Sequence, residues 1–140
     1  MTTPFQICID ADDPHLLNRF WAAAMSYEVE DHHDQVQQVM DAGYATADDT
    51  IEIDGRLAFR TAAASRDPAG VAPRLLFQHV PERKTLKNRV HLDLHVGEDR
   101  REAEVERLTS LGASRLWDGQ QGPNRWVTMA DPEGNEFCVA

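Results

Sequence analysis

A strand, a helix and three further strands can be read twice along this chain of 140 residues, and that repeat constrains the fold more than any other feature. The first round opens at residues 5–11, Phe-Gln-Ile-Cys-Ile-Asp-Ala, which alternate well enough for a strand buried on one face. Asp13 fits a helix N-cap and Pro14 the first helical position. Leu16, Leu17, Phe20, Trp21 and Ala24 then recur at helical spacing, which gives residues 14–26 one apolar face. Val36, Val39 and Met40 predict a short second helix closed by Gly43. His32 and His33 stand at its start, where helical neighbours point about 100° apart and make a poor chelate, so both are expected on the surface. Residues 51–53 and 56–62 read as strands around Asp54-Gly55, residues 65–73 as a loop, and residues 75–80 as the last strand of this half.

The second round starts at Val90. Residues 91–96, His-Leu-Asp-Leu-His-Val, alternate strictly, with Leu92, Leu94 and Val96 on one face and His91, Asp93 and His95 on the other. Residues 99–111 predict a helix that turns Ala103, Val105, Leu108 and Leu111 toward a core and stops at Gly112. Short strands are expected around 114–117, 125–130 and 136–139, with Gly119 to Gly122 as a flexible loop and Asp131-Pro132-Glu133-Gly134-Asn135 as a turn. The first strands of the two rounds overlay with Gln6 on His91. The helix ends overlay with Met25-Ser26 on Leu111-Gly112, at slight sequence identity.

With 41% hydrophobic and 27% charged residues, the chain has the balance of one soluble domain that needs no metal or disulfide staple. Cys8 and Cys138 each lie inside an apolar run, far from any Cys-x-x-Cys pair, and are expected as reduced, buried, small hydrophobes. No signal peptide or bilayer-length apolar run is present, so a cytoplasmic location is expected by elimination. Fourteen basic against twenty-four acidic residues give a charge of −10, which repels nucleic acid and anionic membrane and excludes both as partners. Arg83, Lys84, Lys87 and Arg89 form the one basic cluster. It reads first as a solvated connector, and second as a guide for an anionic small molecule. A glycine-rich phosphate loop and a Gly-x-Ser-x-Gly elbow are both missing.

Three phrases carry a family resemblance: Asp-Pro-His-Leu-Leu-Asn-Arg-Phe-Trp-Ala-Ala-Ala (13–24), the connector Arg74 to Leu94, and Trp-Val-Thr-Met-Ala-Asp-Pro-Glu-Gly-Asn-Glu-Phe-Cys-Val (126–139). Together they cover both halves, and the chain resembles the glyoxalase-like proteins of the vicinal oxygen chelate (glyoxalase/bleomycin resistance/dioxygenase) superfamily. The resemblance implies an α+β fold of two βαβββ modules whose eight strands form a curved groove with helices outside. Module one would span about 4–81 with a helical insert near 31–43, and module two about 89–140, all within one domain. Gln6, Cys8, Asp10, Gln78, Trp117, Trp126 and Glu136 would line the groove.

In metal-dependent relatives, His, Gln or Glu at four strand positions hold a divalent ion, and those positions become Gln6, Gln78, His91 and Cys138 here. One imidazole, two amides and a thiol suit no hard cation, so the usual site, and any cofactor, is expected to be missing. Zinc on His91 and Cys138 with Asp93 or Glu136 is the remaining metal option, although same-face strand neighbours lie roughly 6–7 Å apart. The row His91, Asp93 and His95 supports a different chemistry, in which a carboxylate orients imidazoles for acid–base work near neutrality. The preferred reading is a hydrogen-bonded polar ladder, since no nucleophile, oxyanion donor or cofactor motif accompanies the row. Three functions stay open from sequence, of which a purely structural or dimerisation module is the plainest. Another is a metal-independent protein that binds a small organic molecule in its groove. The third is a metal-dependent lyase, isomerase or dioxygenase using an atypical site around His91. A homodimer is compatible with all three.

Overall fold

The computed structural model describes all of residues 1–140. Its contacts divide the chain into two compact units, Met1–Pro81 and Glu82–Ala140. Both are mixed α+β, and both carry a four-stranded sheet of the same order.

Unit one runs β1 (Ile7–Ala11), α1 (Pro14–Met25), β2 (Glu28–Val29), α2 (His33–Asp41), β3 (Thr50–Ile53), β4 (Arg56–Phe59), β5 (Ala62–Arg66) and β6 (Leu75–His79). The main sheet has the order β1-β6-β5-β2, with β1 and β6 parallel from Ile7↔Leu75 to Ala11↔His79 and the other pairs antiparallel. The parallel pair is possible because α1 returns the chain across the sheet. Asp13 starts that helix by accepting the N–H groups of His15 and Leu16, and Ser26 ends it in the left-handed region at φ 56°. Leu17, Phe20, Trp21 and Ala24 of α1 are buried, as are Ala63, Ala64, Leu75 and Phe77 of the sheet it contacts.

The strand expected over 56–62 is broken, and the loop expected over 65–73 begins only after Arg66. The break is held by Arg60, whose backbone N–H donates to Asp49 O and whose guanidinium donates to Asp48 O and Thr50 O. The chain therefore turns at Arg60–Thr61, and β3 and β4 form a separate two-stranded sheet. The second strand of the main sheet is instead β2, two exposed residues with no alternation to betray them. His32 and His33 are not idle surface residues: His32 Nε2 meets Glu30 at 2.9 Å, and His33 Nδ1 accepts the Leu57 N–H. Cys8 is exposed rather than buried, and Cys138 is half-buried.

Unit two runs β7 (Asp93–Leu94), α3 (Arg101–Leu111), β8 (Ser114–Gln121), β9 (Asn124–Ala130) and β10 (Glu136–Val139). Its order β7-β10-β9-β8, with β7 parallel to β10, repeats the pattern of unit one. Bonds from Cys138 N to Leu92 O and from Ala140 N to Leu94 O extend the β7–β10 ladder on both sides of the Asp93–Cys138 pair. Val105 and Leu108 of α3 are buried, together with Val127, Met129, Phe137 and Val139. Ala103 and Leu111 were expected in that core but are exposed. Ala103 lies two positions before Val105, hence on the far side of the helix. The glycine-rich stretch from Gly119 is strand rather than flexible loop, because β8 and β9 pair from Ser114↔Ala130 to Gln121↔Asn124 and only Gly122-Pro123 turns. The Asp131 turn is closed by its own side chain, which accepts the N–H groups of Glu133 and Asn135.

Candidate small-molecule pocket

Alternation in β9 and β10 sorts unit two into a core face and a pocket face. Val127, Met129, Phe137 and Val139 are buried on one side, while Trp126, Thr128, Glu136, Cys138 and Ala140 line a cavity of about 370 Å³ on the other. Lys87, His91, Asp93, His95 and Trp117 complete its walls. The register sets one row straight across the sheet: Asp93 pairs with Cys138, Cys138 with Thr128, and Thr128 with Trp117. Residues in register share a face, so a carboxylate, a thiol, a hydroxyl and an indole stand side by side.

Trp117 reaches that face through a β-bulge between Arg115 and Trp117. In a regular strand these two residues point the same way. The extra residue, Leu116, puts them on opposite faces. Arg115 pairs with core-facing Met129 and bonds Glu102 of α3 at 2.8 Å, while Trp117 pairs with Thr128. Gly119 lies opposite Trp126, and a Cβ there would collide with the indole, so the glycine gives the ring its place.

The row His91, Asp93 and His95 is asymmetric. His91 Nδ1 lies 2.8 Å from Asp93 Oδ1, whereas His95 lines the pocket without a hydrogen bond. His91 Nδ1 or Nε2, an Asp93 oxygen and Cys138 Sγ all lie within 4.8 Å of one another. Burial pushes the Cys138 thiol up, against a hydrogen bond from Thr128, and the Asp93 carboxylate adds to the rise. Glu136 is the pocket's anchored acid. Burial opposes its charge, but the Asn88 N–H at 2.9 Å, its own backbone N–H and the Lys84 ammonium at 3.1 Å prevail, and its carboxyl is lowered to about 2. The basic connector therefore divides: Lys84 fastens Glu136, Lys87 faces the cavity, and Arg83 and Arg89 are exposed. Thr128 and Ala140 are lining residues that no motif announced, and strand register alone points to them.

Three of the unit-one candidates, Gln6, Cys8 and Gln78, are already hydrogen-bonded. Gln6 Oε1 accepts from Arg74, whose guanidinium also forks onto Glu30 at 2.8 and 2.7 Å and lowers that carboxyl. The Cys8 thiol donates to Gln78 Oε1 at 3.2 Å, and Asp10 pairs in register with Gln78 on the exposed side of β1.

Two βαβββ units of equal strand order, one bearing a half-polar pocket on its helix-free face, define a paired-module protein of the vicinal oxygen chelate type. The family model for the glyoxalase-like domain matches residues 6–140, and the chain belongs to that family. Solved structures agree on the fold. A glyoxalase/bleomycin resistance/dioxygenase family enzyme from Burkholderia phytofirmans aligns with a TM-score of 0.62 at 11% identity, over 96% of this chain and 94% of that one. The fosfomycin resistance protein FosX from Listeria monocytogenes, complexed with Mn(II) and a dihydroxypropylphosphonic acid, aligns at 0.62 and 12% identity over 99% and 90%. The bleomycin-binding protein from Streptomyces verticillus, complexed with copper(II)-bleomycin, aligns at 0.55 and 14% identity over 100% and 98%. A search of curated proteins gives no match. No helix of the chain is long and apolar enough to cross a membrane.

The donors at the four positions that the resemblance implies, Gln6, Gln78, His91 and Cys138, do not fit a hard divalent cation. Gln6 and Gln78 have their amide oxygens engaged by Arg74 and Cys8, and a thiol stands at Cys138 where a carboxylate is needed.

Proposed function

We propose that this protein binds a small organic molecule, with a flat apolar body and an anionic group, in the pocket of its second unit and without the family's usual metal. The observation that carries this reading is the cavity of about 370 Å³ walled by Trp117 and Trp126 and faced by Lys87. That size suits a small ligand, the indoles supply stacking area, and the ammonium offsets an anionic group. The fold neighbour named for bleomycin binding supports a binding role for this architecture.

Tryptophan fluorescence tests the proposal, because Trp21 is 2% exposed and the pocket holds the other two tryptophans. Titration of metal-free protein with a panel of aromatic carboxylates and phosphonates should give saturable quenching that Lys87→Met weakens at least tenfold. Quenching that is linear, or indifferent to Lys87→Met, would overturn it. The cluster His91, Asp93 and Cys138 favours the second reading, a metal-dependent lyase, isomerase or dioxygenase, and turnover that needs added metal would establish that instead. We also assign the protein to the cytoplasm, both units to one functional domain as the family match spans them, and the assembly to a homodimer that gel filtration can test.

A further inference from the structure

We propose that His91, Asp93 and Cys138 form a soft, three-ligand metal site within unit two, selective for zinc-like ions over manganese. It replaces the hard four-position site that the family fold would otherwise carry. Three observations converge on it. Asp93 and Cys138 are register partners on neighbouring parallel strands, so carboxylate and thiol share one face without any backbone movement. His91 is already turned toward Asp93, with Nδ1 and Oδ1 2.8 Å apart. All three donor atoms fall within 4.8 Å of one another.

Zinc takes sulfur at about 2.3 Å and nitrogen or oxygen at about 2.0 Å, which puts tetrahedral ligands roughly 3.3–3.8 Å apart. The widest pair must draw in by about 1 Å and the hydrogen-bonded His91–Asp93 pair must part by about 0.5 Å, which side chains 39% and 47% exposed are free to do. One nitrogen, one oxygen and one sulfur is a donor set for a borderline ion and a poor one for Mn²⁺ or Mg²⁺. Thiolate and carboxylate together balance a dication. On binding, the Cys138 S–H bond breaks, its proton goes to solvent and a metal–sulfur bond forms. Three protein ligands would leave a fourth position for water or substrate, in a pocket that Trp126 and Lys87 also line. This site lies in the pocket assigned above to an organic ligand but does not depend on that ligand, which is titrated separately on metal-free protein.

Cobalt(II) alone, added to the full chain after chelator treatment, is the probe. The expected result is one saturable equivalent per chain, with a thiolate-to-cobalt charge-transfer band and the strong visible bands of tetrahedral cobalt, displaced by zinc and not by manganese. Cys138→Ser should abolish the charge-transfer band, and Asp93→Asn and His91→Gln should each weaken cobalt at least tenfold while the band persists at saturation. Gln6→Ala and Gln78→Ala should leave affinity within twofold. The proposal is overturned by a six-coordinate spectrum without the band, by Cys138→Ser binding cobalt as wild type, or by loss of binding in the Gln variants. Near-UV circular dichroism of each variant separates lost ligands from lost folding.

Discussion

Gly119→Ala is the sharpest probe of the pocket wall. An alanine methyl at this position would fall under 3.0 Å from three atoms of the Trp126 ring. Carbon atoms rest at about 3.5–4.0 Å, so the indole must retreat by about 1 Å or the strands must part. Overpacking of this size costs about 1–3 kcal/mol. Gly119 is not among the glycines with positive φ, so alanine adds no backbone strain, and removing a strand glycine returns about 0.5–1 kcal/mol. The net expectation is a loss of about 1–2 kcal/mol, a fall in melting temperature of about 4–8 °C. Near-UV circular dichroism and the emission of Trp126 should change with it, and ligand quenching should weaken. The cost should vanish in a Trp126→Ala background, because the collision needs both groups. If Gly119→Ala keeps the wild-type spectrum and melting temperature, or costs as much beside Ala at 126, the ring does not lie across β8.

Three further outcomes follow from the bonds around the site and the first unit. Glu136 titrates near 2 when folded and near 4.5 when unfolded, so its contribution is complete above pH 4.5 and fades as pH falls toward 2. Glu136→Gln should flatten urea stability across that window and cost about 1 kcal/mol at pH 7, well under the full conversion because solvent screens the ion pair. Glu30, held low by Arg74, obeys the same sign: Glu30→Gln should lower stability at pH 7, and its gap to wild type should narrow as pH falls below about 4.5, by urea denaturation across that range. Asn18 is 1% exposed with Oδ1 unpartnered, and the Ala64 carbonyl it donates to also accepts the Glu30 N–H. Asn18→Leu should leave stability level or raise it by about 1 kcal/mol, and a clear loss would show that the amide matters.

Much of the fold was legible because burial imposes periodicity. The run from His91 to Val96 keeps strict alternation in its exposure, and Leu17, Phe20 and Trp21 occupy the buried stripe that their spacing assigns. The capping residue Asp13 and the Asp131 turn were equally plain, since both act through backbone N–H groups a few residues away. What could not be read were features decided by distant partners. β2 is a strand only because β5 lies beside it, and the turn at Arg60 exists because carbonyls from Asp48 to Thr50 receive its side chain and N–H. The glycines from Gly119 onward look like a loop until Trp126 is placed above the first of them.

The pocket shows the same division more finely. Cys138 and Glu136 could be assigned to one face from β10 alone, because two positions along a strand return to the same side. Trp117 could not. Counting by twos from Arg115 puts the indole beside a guanidinium that bonds α3, and only the bulge at Leu116 parts them. That single extra residue gives α3 its ion pair with Arg115 and the pocket an aromatic wall, two demands that a regular strand could not meet together. The row from Asp93 to Trp117 is therefore a product of register. Its chemistry is carried by residues whose roles are set by the strand opposite rather than by any motif of their own. A family-wide pattern of ligands predicts metal at four positions spread over both halves. The local row predicts a thiolate site within one half, and the cobalt affinities of Gln6→Ala, Gln78→Ala and Asp93→Asn decide between them.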